Sequence, residues 1–87
     1  MTTKIHERVK VHFLSLELGE HAVVPLRIKW QGQIYTVREI GMIYRIRDGR
    51  KVIHVVCVNV GNLDMRLHID GDSLITTLVE VSDGLAD

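Results

Sequence analysis

Lys51-Val52-Ile53-His54-Val55-Val56-Cys57-Val58-Asn59-Val60 and Leu63-Asp64-Met65-Arg66-Leu67-His68-Ile69-Asp70 flank the dipeptide Gly61-Asn62, and this stretch decides the fold. Gly followed by a small polar residue suits the two-residue loop of a tight hairpin. Folding the chain there sets Val60 opposite Leu63, Val58 opposite Met65, Val56 opposite Leu67 and His54 opposite Ile69. The other face then pairs Asn59 with Asp64, Cys57 with Arg66, Val55 with His68 and Ile53 with Asp70. One face is almost wholly apolar and the other mixed. A slip of one residue would destroy that separation, so the register is specified by the pattern itself.

Turn residues recur at short intervals on both sides of this hairpin: Gly19-Glu20, Gln31-Gly32, Gly41, Asp48-Gly49 and Gly71-Asp72. The runs between them have strand lengths, near residues 7–16, 25–30, 33–40, 42–47, 51–60, 63–70 and 74–81. Residues 15–24 leave room for one helical turn at most. About Gln31-Gly32 the same parity argument sets Ile28 against Tyr35 and Leu26 against Val37, with Arg27 and Lys29 on the other face. A three-residue loop Arg47-Asp48-Gly49 sends Met42, Tyr44 and Ile46 inward and Arg45 outward. At Gly71-Asp72 parity is ambiguous, because Leu74 and Leu78 compete with Ile75, Val79 and Val81 for the core.

Composition supports strands. Of 87 residues, twelve are Val, nine Ile and nine Leu, against two Ala. Stiff β-branched side chains suit a pleated surface, whereas Ala is the best helix former. The expected fold is all-β: a small antiparallel meander of six to seven strands forming a barrel or strongly curved sheet, as one domain over residues 1–81. Residues 82–87 read as a short flexible C-terminal tail. No stretch is long and apolar enough for a membrane-spanning helix, and the N-terminus lacks a secretory apolar core. A cytoplasmic location with no membrane partner is the expectation.

The net charge is zero, but residues 1–51 carry ten Lys/Arg and five Asp/Glu while residues 52–87 carry one and six. By the registers above, Arg27, Lys29, Arg38, Arg45 and Arg47 point away from the core on adjacent strands, with Arg50 and Lys51 beside them. Such a basic outer face is a candidate nucleic-acid-binding surface working through phosphates. Trp30, Tyr35, Tyr44 and Phe13 all fall on core faces, leaving no exposed aromatic platform for base stacking.

Chemistry is sparse. Cys57 is the only cysteine and five histidines lack metal-ligand spacing; the register sends His54 and His68 to opposite faces, while His6, His12 and His21 default to the surface. Asp70-Gly71-Asp72-Ser73 is ordinary turn chemistry rather than a calcium loop. Nothing supplies a nucleophile with an oriented base or a phosphate loop. No catalytic residue, metal or cofactor is expected. The apolar strand surface exceeds what one small barrel can hide, so a non-enzymatic protein-interaction or self-associating module, most simply a homodimer, is the leading expectation. A nucleic-acid-binding barrel is the alternative.

Trp30-x-Gly32-x-x-Tyr35-x-Val37-x-Glu39-Ile40 resembles the W-x-G-x-x-Y-x-V hairpin of a group of small uncharacterised bacterial all-β proteins. Met65-Arg66-Leu67 is comparable with a later hairpin of that group. The resemblance implies a fold and not an activity, although some members lie in DNA-repair gene neighbourhoods. Another Trp, common in the last strand of those proteins, is replaced here by Thr76-Thr77-Leu78.

Overall fold

The computed structural model describes residues 2–15 and 23–83. Seven antiparallel strands form one sheet: β1 (Thr2–Ser15), β2 (Val23–Trp30), β3 (Gln33–Thr36), β4 (Glu39–Asp48), β5 (Lys51–Asn59), β6 (Leu63–Asp70) and β7 (Thr76–Asp83). Their order in space is β3-β2-β1-β7-β6-β5-β4. Two meanders, β1-β2-β3 and β4-β5-β6-β7, are therefore joined through β1 and β7. The long β1 makes this join, with Thr2–Val9 along β7 and Lys10–Ser15 along β2.

The sheet is open, with β3 and β4 as its edges, yet Val37 and Arg38 alone connect those edges. Val37 N–H donates to Leu26 O at 2.9 Å, extending the β2–β3 ladder, and Arg38 N–H donates to Asn59 O at 2.8 Å, extending β4–β5. The sheet thus curves far enough for a two-residue link to bridge its borders. The barrel expectation holds in this open, curved form.

The β5–β6 register is the one read about Gly61-Asn62, from Ile53↔Asp70 through Asn59↔Asp64. Val60 N–H closes the hairpin on Leu63 O at 2.9 Å. The β2–β3 hairpin also has the expected register, with Ile28 opposite Tyr35, and both Gln31 and Gly32 have positive φ. That pair of left-handed residues is the signature of the hairpin turn whose twist matches its strands. Trp30 and Tyr35 lie diagonally across it with ring centroids 6.1 Å apart.

The core occupies the concave side. Val56, Val58, Met65, Leu67, Ile69 and Leu78 from β5–β7 meet Val9 and Ile28 from β1–β2. Ile28, Leu67 and Leu78 are fully buried. Phe13, Trp30, Tyr35 and Val37 pack around this cluster, as their faces required. Irregularities in β7 resolve the parity at Gly71-Asp72. Leu67 pairs with Leu78 but Arg66 pairs with Glu80, so Val79 is an extra residue and the facing parity changes there. Leu78 and Val81, from opposite parities, both reach the core. Pro25 likewise sits where the β1–β2 register shifts, a position that tolerates a missing N–H.

Three expectations need correction. The loop between β4 and β5 is the two-residue Gly49-Arg50, with Gly49 left-handed at φ 64, so Asp48 pairs with Lys51. That shift of one residue reverses the reading of β4. Ile43, opposite Val56, packs on the core, while Met42, Tyr44 and Ile46 stand on the outer side and are 58%, 40% and 38% exposed. Arg45, expected outward, pairs with His54 on the core-facing side, in the row that leads to Ile69. Second, β1 starts at Thr2, with a register shift between Lys4 and Glu7 that carries His6 at φ 58. Third, Ser82 and Asp83 pair with Asp64 and Leu63, so they belong to the last strand rather than to a tail. Residues 84–87, the segment 16–22 and His21 lie outside the described residues.

The Asp70 turn illustrates the local chemistry. Its carboxylate accepts from Asp72 N–H at 2.8 Å and Ser73 N–H at 3.1 Å. Those backbone donors, with Lys51 beside it, hold the Asp70 carboxyl below the usual carboxylate range. A depressed folded value stabilises above the unfolded value near 4 and is lost as pH falls through the folded one. Urea titrations from pH 6 to pH 2 should therefore show a shallower acid loss for Asp70→Asn, which keeps an acceptor but no charge. An identical acid limb in that variant would show the turn's charge to be inert.

Candidate interaction surface

The two sides of the curved sheet divide the seven expected cations. Arg27 and Lys29 lie on the outer side of β2, since Ile28 between them faces the core. Arg45 and Arg47 lie on β4 with the opposite facing, opposite His54 and Val52. Arg38 sits in the link between the edges, near Gly61. Arg50 occupies the β4–β5 turn and Lys51 lies 3.9 Å from Asp70. β2 and β4 are far apart in the strand order, so the expected single basic face is not formed. All seven side chains are on the surface, but they make two groups with different facings. The two-residue loop at Gly49, which reverses the facing of β4, is the reason for the different facings.

What the registers do bring together was missed at the sequence level. On the outer side of β1 and β2, Lys10 stands directly opposite Lys29 and His12 directly opposite Arg27. Arg8, two residues before Lys10, shares their side, because Val9 between them is buried. Antiparallel arithmetic linking β1 to β2 across Lys10 would have found these pairs, but the intervening chain gave no tight turn from which to count.

The outer side of β4–β5 carries a different feature. Met42, Tyr44 and Ile46 form an exposed apolar row along the edge strand, paired with Cys57, Val55 and Ile53. Val55 is buried beneath that row although it does not belong to the core cluster. The row continues to His68, whose imidazole burial pushes below its usual value, with Arg66 adding to the effect.

Beside the row lies a cleft of about 440 Å³, lined among others by Cys57, Asn59, Asp64, Arg66 and Glu80. Its polar groups largely satisfy one another. Arg66 Nη1 meets Glu80 at 3.3 Å, and the Cys57 thiol and Glu80 together raise the guanidinium above its usual value. Asn59 donates to Asp64 Oδ1 at 2.9 Å and accepts from Gly61 N–H at 3.0 Å, tying down the hairpin. Among the described residues, no three His, Cys, Asp or Glu side chains are grouped to hold a metal ion. His54 and His68 do face opposite sides of the sheet. Among the same residues no helix is long and apolar enough to cross a membrane.

No family model, curated protein or solved structure matches this chain.

Proposed function

We propose that this chain is a non-enzymatic protein-interaction module that docks a second copy or another protein along the outer side and edge of β4. One observation carries the reading: an edge strand ten residues long presents Met42, Tyr44 and Ile46 outward, with 58%, 40% and 38% of their surfaces accessible. Unpaired edges template strand pairing, and natural sheets usually blunt them with charge or cover. Here the outer side of the edge is apolar. A contiguous exposed apolar patch with a polar rim is the common mark of a protein contact. Kinship with the W-x-G-x-x-Y-x-V proteins belongs to the same proposal and adds no activity to it.

A photocrosslinker placed at Met42 tests the reading alongside sedimentation velocity over a concentration series. Adducts to a second copy or to another protein are expected. Interface anchors each cost about 1 kcal/mol or more on truncation, so Tyr44→Lys with Ile46→Lys should weaken association by at least about 30-fold. A strict monomer that yields no adduct from Met42 sinks the proposal.

A further inference from the structure

The registers expose a second surface, unrelated to β4, on the outer side of β1 and β2. We infer that Arg8, Lys10, Arg27 and Lys29 form a binding site for the phosphate backbone of a single-stranded nucleic acid. Like charges directly opposite each other on a sheet are destabilising. Lys10 opposite Lys29 is such a pair, and Arg27 and Arg8 stand beside it on the same side. Among the described residues, the outward neighbours of Lys29 and Arg27 on β3 are Ile34 and Thr36, both uncharged.

The same side of the same sheet shows that this arrangement is not general. Across β1, β7 and β6, Lys4 stands opposite Glu80 and Glu80 opposite Arg66, with the last two joined at 3.3 Å. Signs alternate there and repeat on β1–β2. An anion laid between the two strands removes the repulsion, and binding to it releases the counterions that the cations otherwise hold.

Three features favour a single strand over a duplex. The surface is the convex side of a curved sheet, which a flexible chain can follow and a stiff rod meets only at a point. Successive same-side residues, Arg8 then Lys10 then His12, repeat along β1 at about 6.8 Å, twice the rise per residue of an antiparallel strand. That spacing suits an extended backbone with one anion per repeat. The aromatics of β1 and β2, Phe13 and Trp30, pack against the core cluster instead, so contact is to backbone and carries little sequence preference.

Fluorescence anisotropy with labelled oligothymidylate and oligouridylate, from 50 to 300 mM salt, tests the inference on the full chain. Three to four phosphate contacts predict a log–log salt slope of about −2 to −3. Lys10→Glu with Lys29→Glu should weaken binding by at least about tenfold, while Arg45→Glu with Arg47→Glu on the distant edge strand stays within about twofold. Without ligand, Lys10→Gln should raise the melting temperature, because it removes a repulsion, and circular dichroism confirms that the variants fold. The inference is overturned by any of four results: no binding at 50 mM salt, loss of binding through the β4 pair instead, a duplex bound as tightly, or equal competition by polyglutamate or anionic vesicles. None of these bears on crosslinking from Met42, so this site and the β4 surface stand or fall separately.

Discussion

Leu67→Ala should cost about 3–5 kcal/mol, the upper part of the range for emptying a fully buried leucine site. Leu67 is wholly inaccessible and sits mid-row, with Val56 on one side and Leu78 on the other. The row extends to Ile43 on the edge strand, so the space left behind is walled by four strands whose backbones are fixed by their ladders. Little collapse is available to refill it. Total stability for domains of this kind is about 5–15 kcal/mol, so the loss is a large share of the whole. Each kcal/mol shifts the melting temperature of so small a domain by about 4–8 °C. Ile34→Ala supplies the contrast. Its side chain is 66% exposed on β3, and the expected change is within about 0.5 kcal/mol. Equal effects from the two substitutions, measured by urea denaturation, would mean that the concave side is not the core.

Gly61→Val should cost about 1–3 kcal/mol through the backbone rather than through crowding. Gly61 has φ 111, where a β-branched residue is a genuine outlier. Space is not the obstacle, since an added Cβ would come no nearer than 3.6 Å to Arg38. The strain falls on the hairpin that fixes the register of β5 against β6. Asn59 holds this turn by accepting from Gly61 N–H and donating to its carbonyl at 3.2 Å. Relaxing φ would break both contacts. Gly41→Ala is the matched control, with ordinary φ and its nearest neighbour, the Cys57 carbonyl, at 3.6 Å. That substitution should leave stability unchanged or raise it by up to about 1 kcal/mol. A Gly61→Val variant as stable as Gly41→Ala would show that the turn adopts another conformation at no cost.

The central hairpin was legible because its chemistry is redundant. Gly61-Asn62, the alternation of Val56, Val58, Met65 and Leu67, and the polar set Asn59, Asp64 and Arg66 all demand one register. The β2–β3 hairpin was readable for the same reason, with Ile28 and Tyr35 agreeing with the turn. β4 was misread because both of its sides are rich in large apolar residues. Met42, Tyr44 and Ile46 outnumber Ile40 and Ile43, so pattern alone favoured the wrong side. Only the length of the loop at Gly49 decides between them. The additional residue at Gly41, between the Ile40 and Met42 pairings, shifts parity once more. Such bulges leave no mark in an alternation count.

The candidate site was legible residue by residue but not as a surface. All seven cations are where a solvated side chain belongs. Their grouping depends on which strands are neighbours, and the sequence had no means of placing β1 between β2 and β7. Lys10 and His12 consequently went unnoticed as partners of Lys29 and Arg27. The apolar row on β4 was hidden by the same one-residue error that turned it inward.

The union of β1 with β7 constrains the order of events during synthesis. On the ribosome the first strand emerges long before the last one exists, with every other strand made between them. Until then Thr2–Val9 can find no permanent neighbour, although Lys10–Ser15 can already zip to β2. The nascent chain must therefore carry a half-docked ribbon while β3 to β6 are made, at the several residues per second typical of elongation. Final closure waits until β7 has been made and can pair with Thr2–Val9.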